Sequence, residues 1–306
     1  MHAHGKSNHV VECVLVLFIC AGMPGMMSPA VADVFNIGPG LTSLDFVTVG
    51  NPGNAGELTA FDEDHPGRIC GGVDYTYKIG KYEVTAGQYC EFLNAVAKTD
   101  NYGLYNTYMW GSDGGCKIQQ GGSPGSYTYS VDPNLANRPV NCIDWGDAAR
   151  FCNWLANGQP TGEQNSATTE DGSYYINGAV GYEEPLTVRR KSCARYVVPS
   201  EDEWYKAAYH KNDGVTGNYW DYPTQSDTEP IYEPPPGRSE PPGSFNRYNE
   251  YPLWTTEAGV YRFSPSPYGT FDQGGNLLEY TDTILGDIFP YRCVRELKSD
   301  ESGGPS

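Results

Sequence analysis

Apolar positions recur at helical spacing in three stretches of the chain, and each stretch follows a residue suited to start a helix. The first begins at Thr85 with Gln88 three positions on, a capping-box pair, and puts Tyr89, Phe92, Leu93, Val96 and Ala97 on one face. The second follows Asp144 as N-cap and sets Ala148, Phe151, Cys152 and Leu155 along one stripe. In the third, Ser200 and Glu203 form another capping box before Trp204, Ala207 and Ala208. All three stripes read as core. Alternation of period two, flanked by Gly and Pro, predicts strands at 46–49 and 75–79. There is no internal repeat.

Between these elements lie polar, Gly-rich stretches over 103–137 and 158–184, and a Pro-, Glu- and Ser-rich stretch over 223–243. Loops this long in a compact domain are functional or disordered. The first two are expected to be surface excursions held by metal or aromatic contacts, the third to be mobile. With 37 Gly, 23 Pro and 24 Tyr in 306 residues, the composition points to a loop-rich α+β domain rather than a helical bundle.

Residues 1–32 read as a signal peptide rather than as fold. Val10 to Met23 is apolar apart from Glu12, and Ala30-Val31-Ala32 offers small residues at a cleavage site, with Asp33 as the new N-terminus. The run is short of the ~20 residues that span a bilayer. The expected address is therefore secreted or periplasmic, with no membrane anchor. Removing the leader takes away one lysine, Lys6, and one glutamate, Glu12, so the net charge of −18 stays. Such a chain repels nucleic acid and anionic lipid, which excludes both as partners. The acidity serves solubility, or a few carboxylates bind a hard cation.

Seven cysteines lie beyond the leader: Cys70, Cys90, Cys116, Cys142, Cys152, Cys193 and Cys293. Cys142–Cys193 and Cys70–Cys116 are candidate disulfides, and spacing does not choose between them. There is no CxxC. His65 and His210, the histidines beyond the leader, read as surface residues, so a histidine zinc site or a Ser-His-Asp triad is poorly supplied.

Four segments in order carry a resemblance. They are Tyr82-Glu-Val-Thr-Ala-Gly-Gln-Tyr89, Arg138-Pro-Val-Asn-Cys-Ile-Asp-Trp145, Tyr196-Val-Val-Pro-Ser-Glu-Asp-Glu-Trp204 and Tyr268-Gly-Thr-Phe-Asp-Gln-Gly-Gly-Asn-Leu-Leu-Glu279. Together they resemble the formylglycine-generating enzyme family, also called the sulfatase-modifying factor domain, over roughly residues 73 to 280. The resemblance implies an irregular, loop-rich variant of the C-type lectin fold, incomplete here at its C-terminus. It divides the chain into the leader, an N-terminal strand region over 33–72, the family domain over 73–285, and a polar, disordered tail over 286–306.

The family's Gly-Asn-Val-Trp-Glu-Trp turn stands here as Gly275-Asn-Leu-Leu-Glu-Tyr280. The resemblance implies Ca²⁺ at this turn, held by side-chain oxygens of Asp272 and Glu279 and the carbonyls of Gly275 and Leu277. Two carboxylates joined by a Gly-Gly turn suit the oxygen coordination that Ca²⁺ requires. A second family Ca²⁺ site would fall near Asn246 to Asn249, where the match is too loose to assign. Family catalysis uses two late cysteines, four residues apart, that bind copper and oxidise a substrate cysteine to Cα-formylglycine with O₂. Past Glu279 this chain has only Cys293, and the position five residues on is Lys298. No catalytic residue is therefore assigned, and copper is not expected. Two readings stand: an exported oxidoreductase-like family protein lacking its thiol pair, and a non-catalytic lectin-fold module for a carbohydrate or an extended peptide. Tyr105-Asn-Thr-Tyr-Met-Trp110 supplies aromatic platforms for the latter.

Overall fold

The computed structural model describes residues 13–14, 18–20, 44–59, 67–181, 183–237, 239, 243–245, 255–286 and 291–295. Its strands are short. β1 (Cys13–Val14) and β2 (Phe18–Cys20) precede β3 (Phe46–Val49), β4 (Glu57–Thr59), β5 (Arg68–Cys70) and β6 (Tyr77–Gly80). Helix α1 (Ala86–Val96) and the single turn α2 (Tyr108–Gly111) lead to the hairpin of β7 (Gln119–Gly121) and β8 (Thr128–Ser130). Then come α3 (Trp145–Ala156), a 3₁₀ turn over Glu184–Thr187, β9 (Tyr196–Val197) and α4 (Glu201–Tyr209). β10 (Ile231–Tyr232), β11 (Ser244–Phe245), β12 (Leu278–Leu285) and β13 (Tyr291–Arg295) complete the described elements. The architecture is α+β.

All three expected helices start where their capping residues stand. Thr85 with Gln88, Asp144 with Asp147 and Ser200 with Glu203 each form a reciprocal capping box, which satisfies two N–H groups that a helix start leaves open. The apolar stripes of α1 and α3 meet through aromatic rings: Phe92 packs edge-on to Phe151 at 5.2 Å and against Trp154 at 5.2 Å. Each such ring taken out of water contributes about 1.5–3 kcal/mol.

Four antiparallel strands make the main sheet, in the order β3-β6-β2-β9. A second sheet has β12 in the middle, parallel to β1 and antiparallel to β13. Two findings here fall in stretches that the sequence reading placed outside the domain. Cys13–Val14 and Phe18–Cys20, inside the expected leader, pair as strands. Tyr291–Arg295, inside the expected disordered tail, pairs with β12 and buries Cys293. A five-residue strand with two arginines shows little hydrophobic alternation, but the open N–H and C=O groups of β12 give it partners. The other residues of the leader, and those of the tail apart from Gly286, lie outside the described residues, as do 246–249.

The long loops are held by buried polar side chains. No group of three or more His, Cys, Asp or Glu among the described residues is placed to hold a metal ion. On α3, Asn153 is wholly buried; its amide donates to the carbonyls of Thr169 and Tyr174 and accepts from Tyr174 N. One turn earlier Arg150 makes a two-point contact with Glu170, Nε to Oε1 at 2.8 Å and Nη2 to Oε2 at 3.1 Å, beneath the Tyr102 ring. Glu170 also accepts from Gly178 N and Thr169 Oγ1. These contacts fasten 158–184 to the helix. The 103–137 loop is tied in the same way, with Asn94 bonded to both backbone groups of Tyr129 and Asn141 bonded to Gly114 and Cys116. In the Pro-rich stretch, β10 pairs with β11 and the Glu233 carbonyl accepts from Tyr261. Aromatic contact does contribute, since Tyr102 covers Arg150, but Tyr108 and Trp110 stand exposed.

Neither candidate disulfide forms: all seven cysteines beyond the leader are thiols, six of them buried and Cys193 exposed. His210 is buried rather than on the surface, with its ring stacked on Tyr268 and Nδ1 at 2.8 Å from the Tyr268 hydroxyl. His65 lies outside the described residues.

The Arg150–Glu170 pair is 1% and 5% exposed, so removing one partner strands a charge in the interior. Glu170→Ala is expected to cost about 3–5 kcal/mol in urea unfolding. Lys191→Ala, which breaks the half-exposed pair with Asp171, is expected to cost under about 1 kcal/mol. Equal costs would show that the buried pair does not anchor the loop.

Candidate cation site

The segment from Asp272 to Glu279 folds as a tight turn running into β12. Asp272, Gly275 and Asn276 take positive φ, at 62°, 98° and 64°. Gly has no Cβ to clash there, and Asp and Asn tolerate the left-handed region. The turn is fixed from both sides. Asn276 Nδ2 donates to Glu83 Oε2 at 2.7 Å, and its Oδ1 accepts from Thr256 N at 2.9 Å. Asp272 Oδ2 accepts from Gly259 N. Gly259 is required: a Cβ there would lie 2.2 Å from the Tyr82 ring, with φ at +71°. Tyr82 in turn stacks on Phe271 at 5.5 Å.

Glu279 is 1% exposed, so it is not a surface acid. Its Oε2 accepts from the Trp204 indole of α4, which draws the helix onto β12. Glu83, between β6 and α1, is also buried. One oxygen on each of these two carboxylates, Glu279 Oε1 and Glu83 Oε1, is buried with no hydrogen-bond partner. A buried acceptor in that state is costly unless a donor or a cation supplies the missing contact.

The proton equilibria reflect the same crowding. Burial, opposed by the Trp204 hydrogen bond and reinforced by Asp272, pushes Glu279 up to about 8. Burial pushes Asp272 up to about 6, against the Gly259 N–H that favours its anion. Glu83 is held well above its ordinary value, first by burial and then by the charges of Asp272 and Glu279.

Asp272 is near enough to Glu279 for its charge to raise the Glu279 carboxyl, and Gly275 and Leu277 lie between the two in the chain. The Gly275 carbonyl also accepts from Leu277 N at 2.9 Å, leaving its second lone pair for a ligand. Glu83, Asn276 and Trp204 were not assigned from sequence. Glu83 lies in the first family-like segment and Trp204 in the third, but a spacing argument within one segment does not reveal that the fold brings segments together. Among the described residues no three acids are placed to close on one ion, so a cation here would use two carboxylates with backbone oxygens, a hard donor set suited to Ca²⁺. Beside the turn is a cavity of about 20 Å³ lined by Tyr261, Ser264, Thr270, Asp272, Gln273 and Asn276. It has room for a water or an ion.

The raised acids predict a pH dependence for the cation-free protein. A group that binds its proton more tightly when folded stabilises the fold fully below its unfolded value, here 3.8 for Asp272 and 4.5 for Glu279. That contribution is lost as pH rises through about 6 and about 8. In chelator, the urea midpoint is expected to fall between about pH 5 and about pH 8.5. Glu279→Gln, which keeps an acceptor for Trp204 without the charge, should flatten that fall. A midpoint that climbs over the same range would contradict the assignment.

The family model of the Sulfatase-modifying factor enzyme 1-like domain matches residues 59–295, a span holding Glu83, Trp204 and the whole 272–279 turn. No curated protein and no solved structure matches the chain. On the family match, the chain belongs to the sulfatase-modifying factor enzyme 1-like domain family.

Proposed function

We propose that this chain is an exported, Ca²⁺-stabilised member of its family that binds an extended peptide and does not oxidise cysteine. The carrying observation is the thiol inventory. A Cu(I) centre needs two soft thiolates. The family's late pair is represented by Cys293 alone, with Lys298 where the second would stand. Cys293 lies in β13, 4% exposed, and its carbonyl accepts from Thr281. Cys152 is wholly buried in the core, and its thiol is held well above its ordinary value by that burial. Such a sulfur behaves as a small hydrophobe rather than as a ligand. The irregular strands and long tethered loops are compatible with the lectin-like fold that the resemblance implies.

For the cation, Asp272 and Glu279 with the Gly275 and Leu277 carbonyls would hold Ca²⁺, and Glu83 would orient the turn through Asn276. Bound Ca²⁺ would supply positive charge to a buried acidic turn. A carbohydrate reading has one observation in its favour: a second cavity of about 270 Å³, lined by Tyr82, Asn137, Glu257 and Gly259. There the Asn137 Oδ1 has no partner, and an aromatic face stands beside polar acceptors, as in many small-ligand sites. Tyr82→Ala would abolish sugar binding at this place.

Two measurements test the main reading. A ligand that binds only the folded state stabilises it by about 2.7 kcal/mol at one hundred times its dissociation constant. Melting temperature is therefore expected to rise with millimolar Ca²⁺ and to lose most of that rise in Glu279→Ala; no rise in the wild type would defeat the cation assignment. Incubated with copper, O₂ and a Cys-x-Pro-x-Arg peptide, the protein is expected to leave the peptide mass unchanged. Appearance of the aldehyde product would overturn the non-catalytic assignment.

A further inference from the structure

The main sheet is complete only because of a strand from outside the family domain. β6 pairs with β3 on one side and with β2 on the other, and β9 joins the sheet through β2. Phe18 faces Ile79 and Val197, and Ile19 faces Lys78 and Tyr196. The two flanking strands are thus two inter-strand steps apart, about 10 Å, a gap one strand wide. Both flanks lie within the span that matches the family, residues 59–295, whereas Phe18–Cys20 do not.

The gap lies in the interior. Tyr77, Ile79, Tyr196, Val197 and Val198 are all buried and belong to the main apolar core. An empty gap would leave a row of N–H and C=O groups on each flank without partners, next to uncovered apolar side chains. The same N-terminal stretch serves a second edge, since Cys13 and Val14 run parallel to β12 beside Leu278 and Glu279. Cys13–Val14 and Phe18–Cys20 therefore each add a strand to one of two sheets.

We propose that the gap between β6 and β9 is an acceptor groove for an extended apolar peptide strand, which this chain's own residues 18–20 fill in cis. The proposal rests on the peptide-binding reading above and names where such a peptide sits. Backbone hydrogen bonds to both flanks supply affinity, and the buried flanking side chains select an apolar strand over a charged one. Removal of the leader at Ala32 would empty the groove and open it to a second peptide. Before removal, Phe18–Cys20 fill it.

Hydrogen exchange on the full-length chain tests this. In Ile19→Pro the central residue of the strand loses its N–H donor and cannot sit between two partners. Amides of 77–80 and 196–198 are expected to exchange faster by about tenfold, the scale of losing one or two hydrogen bonds. Excess synthetic peptide spanning residues 15–22 should slow them again, and the same peptide with proline at the Ile19 position should not. Unchanged exchange in Ile19→Pro, or no response to the peptide, overturns the proposal. A second variant does not depend on weakening the fold: Ile19→Cys with Lys78→Cys should form a 19–78 disulfide on oxidation, and its absence from the mass map also counts against the groove. The Ca²⁺ melt of the same preparations separates the two readings, because a Ca²⁺ response that persists without any peptide response sinks the groove alone.

Discussion

Burying acids around one turn governs this molecule. Glu279, Glu83 and Asp272 are held at the junction of β12, α4 and the start of α1, and each is pushed towards its protonated form by burial. Carboxylates removed from water remain charged only where something positive replaces the lost hydration. Among the contacts seen, hydrogen-bond donors do part of this: the Trp204 indole, the Asn276 amide and the Gly259 N–H. The two oxygens without partners mark what they leave undone. A cation at the turn would offset that cost and lock together three segments far apart in sequence.

The same economy of polar anchors recurs across the fold. Arg190 reaches Glu203 with two nitrogens, Asp282 with a third and the Val198 carbonyl besides, joining α4 to β12. Arg150 and Asn153 do the equivalent between α3 and its long loop. Regular secondary structure is sparse, so tertiary order depends on charged and amide side chains buried in the right places. Such groups stabilise when fully satisfied and cost several kcal/mol when one partner is lost. The fold is therefore specific but intolerant of substitution at these positions.

Much of this was legible from the chain. Helix starts were readable because capping is local: the residues that satisfy a helix N-terminus lie within four positions of one another. Asp272 and Glu279 could be picked out as a pair because one continuous turn carries both. Glu83 and Trp204 were not, since their contacts span 193 and 75 positions, to Asn276 and Glu279, and nothing local marks them. Buried polar side chains on α3 escaped for another reason: Arg150 and Asn153 break the rule that charged and amide groups face water, and only their partners in the loop show why. The pairing of β2 and β13 was not legible, because an open edge can order a short segment whose own pattern is weak, whether a leader-like run or a stretch with two arginines.

A hard cation at the 272–279 turn would sit against Glu279 and therefore close to the Trp204 indole, which donates to Glu279. Terbium(III), an oxygen-seeking stand-in for Ca²⁺, emits when a nearby indole transfers excitation to it, which makes the position itself the readout. Tryptophan-excited terbium emission is expected to appear on titration, to be displaced by Ca²⁺ and to disappear in Trp204→Phe. Emission that is absent, or that survives loss of Trp204, would contradict the account.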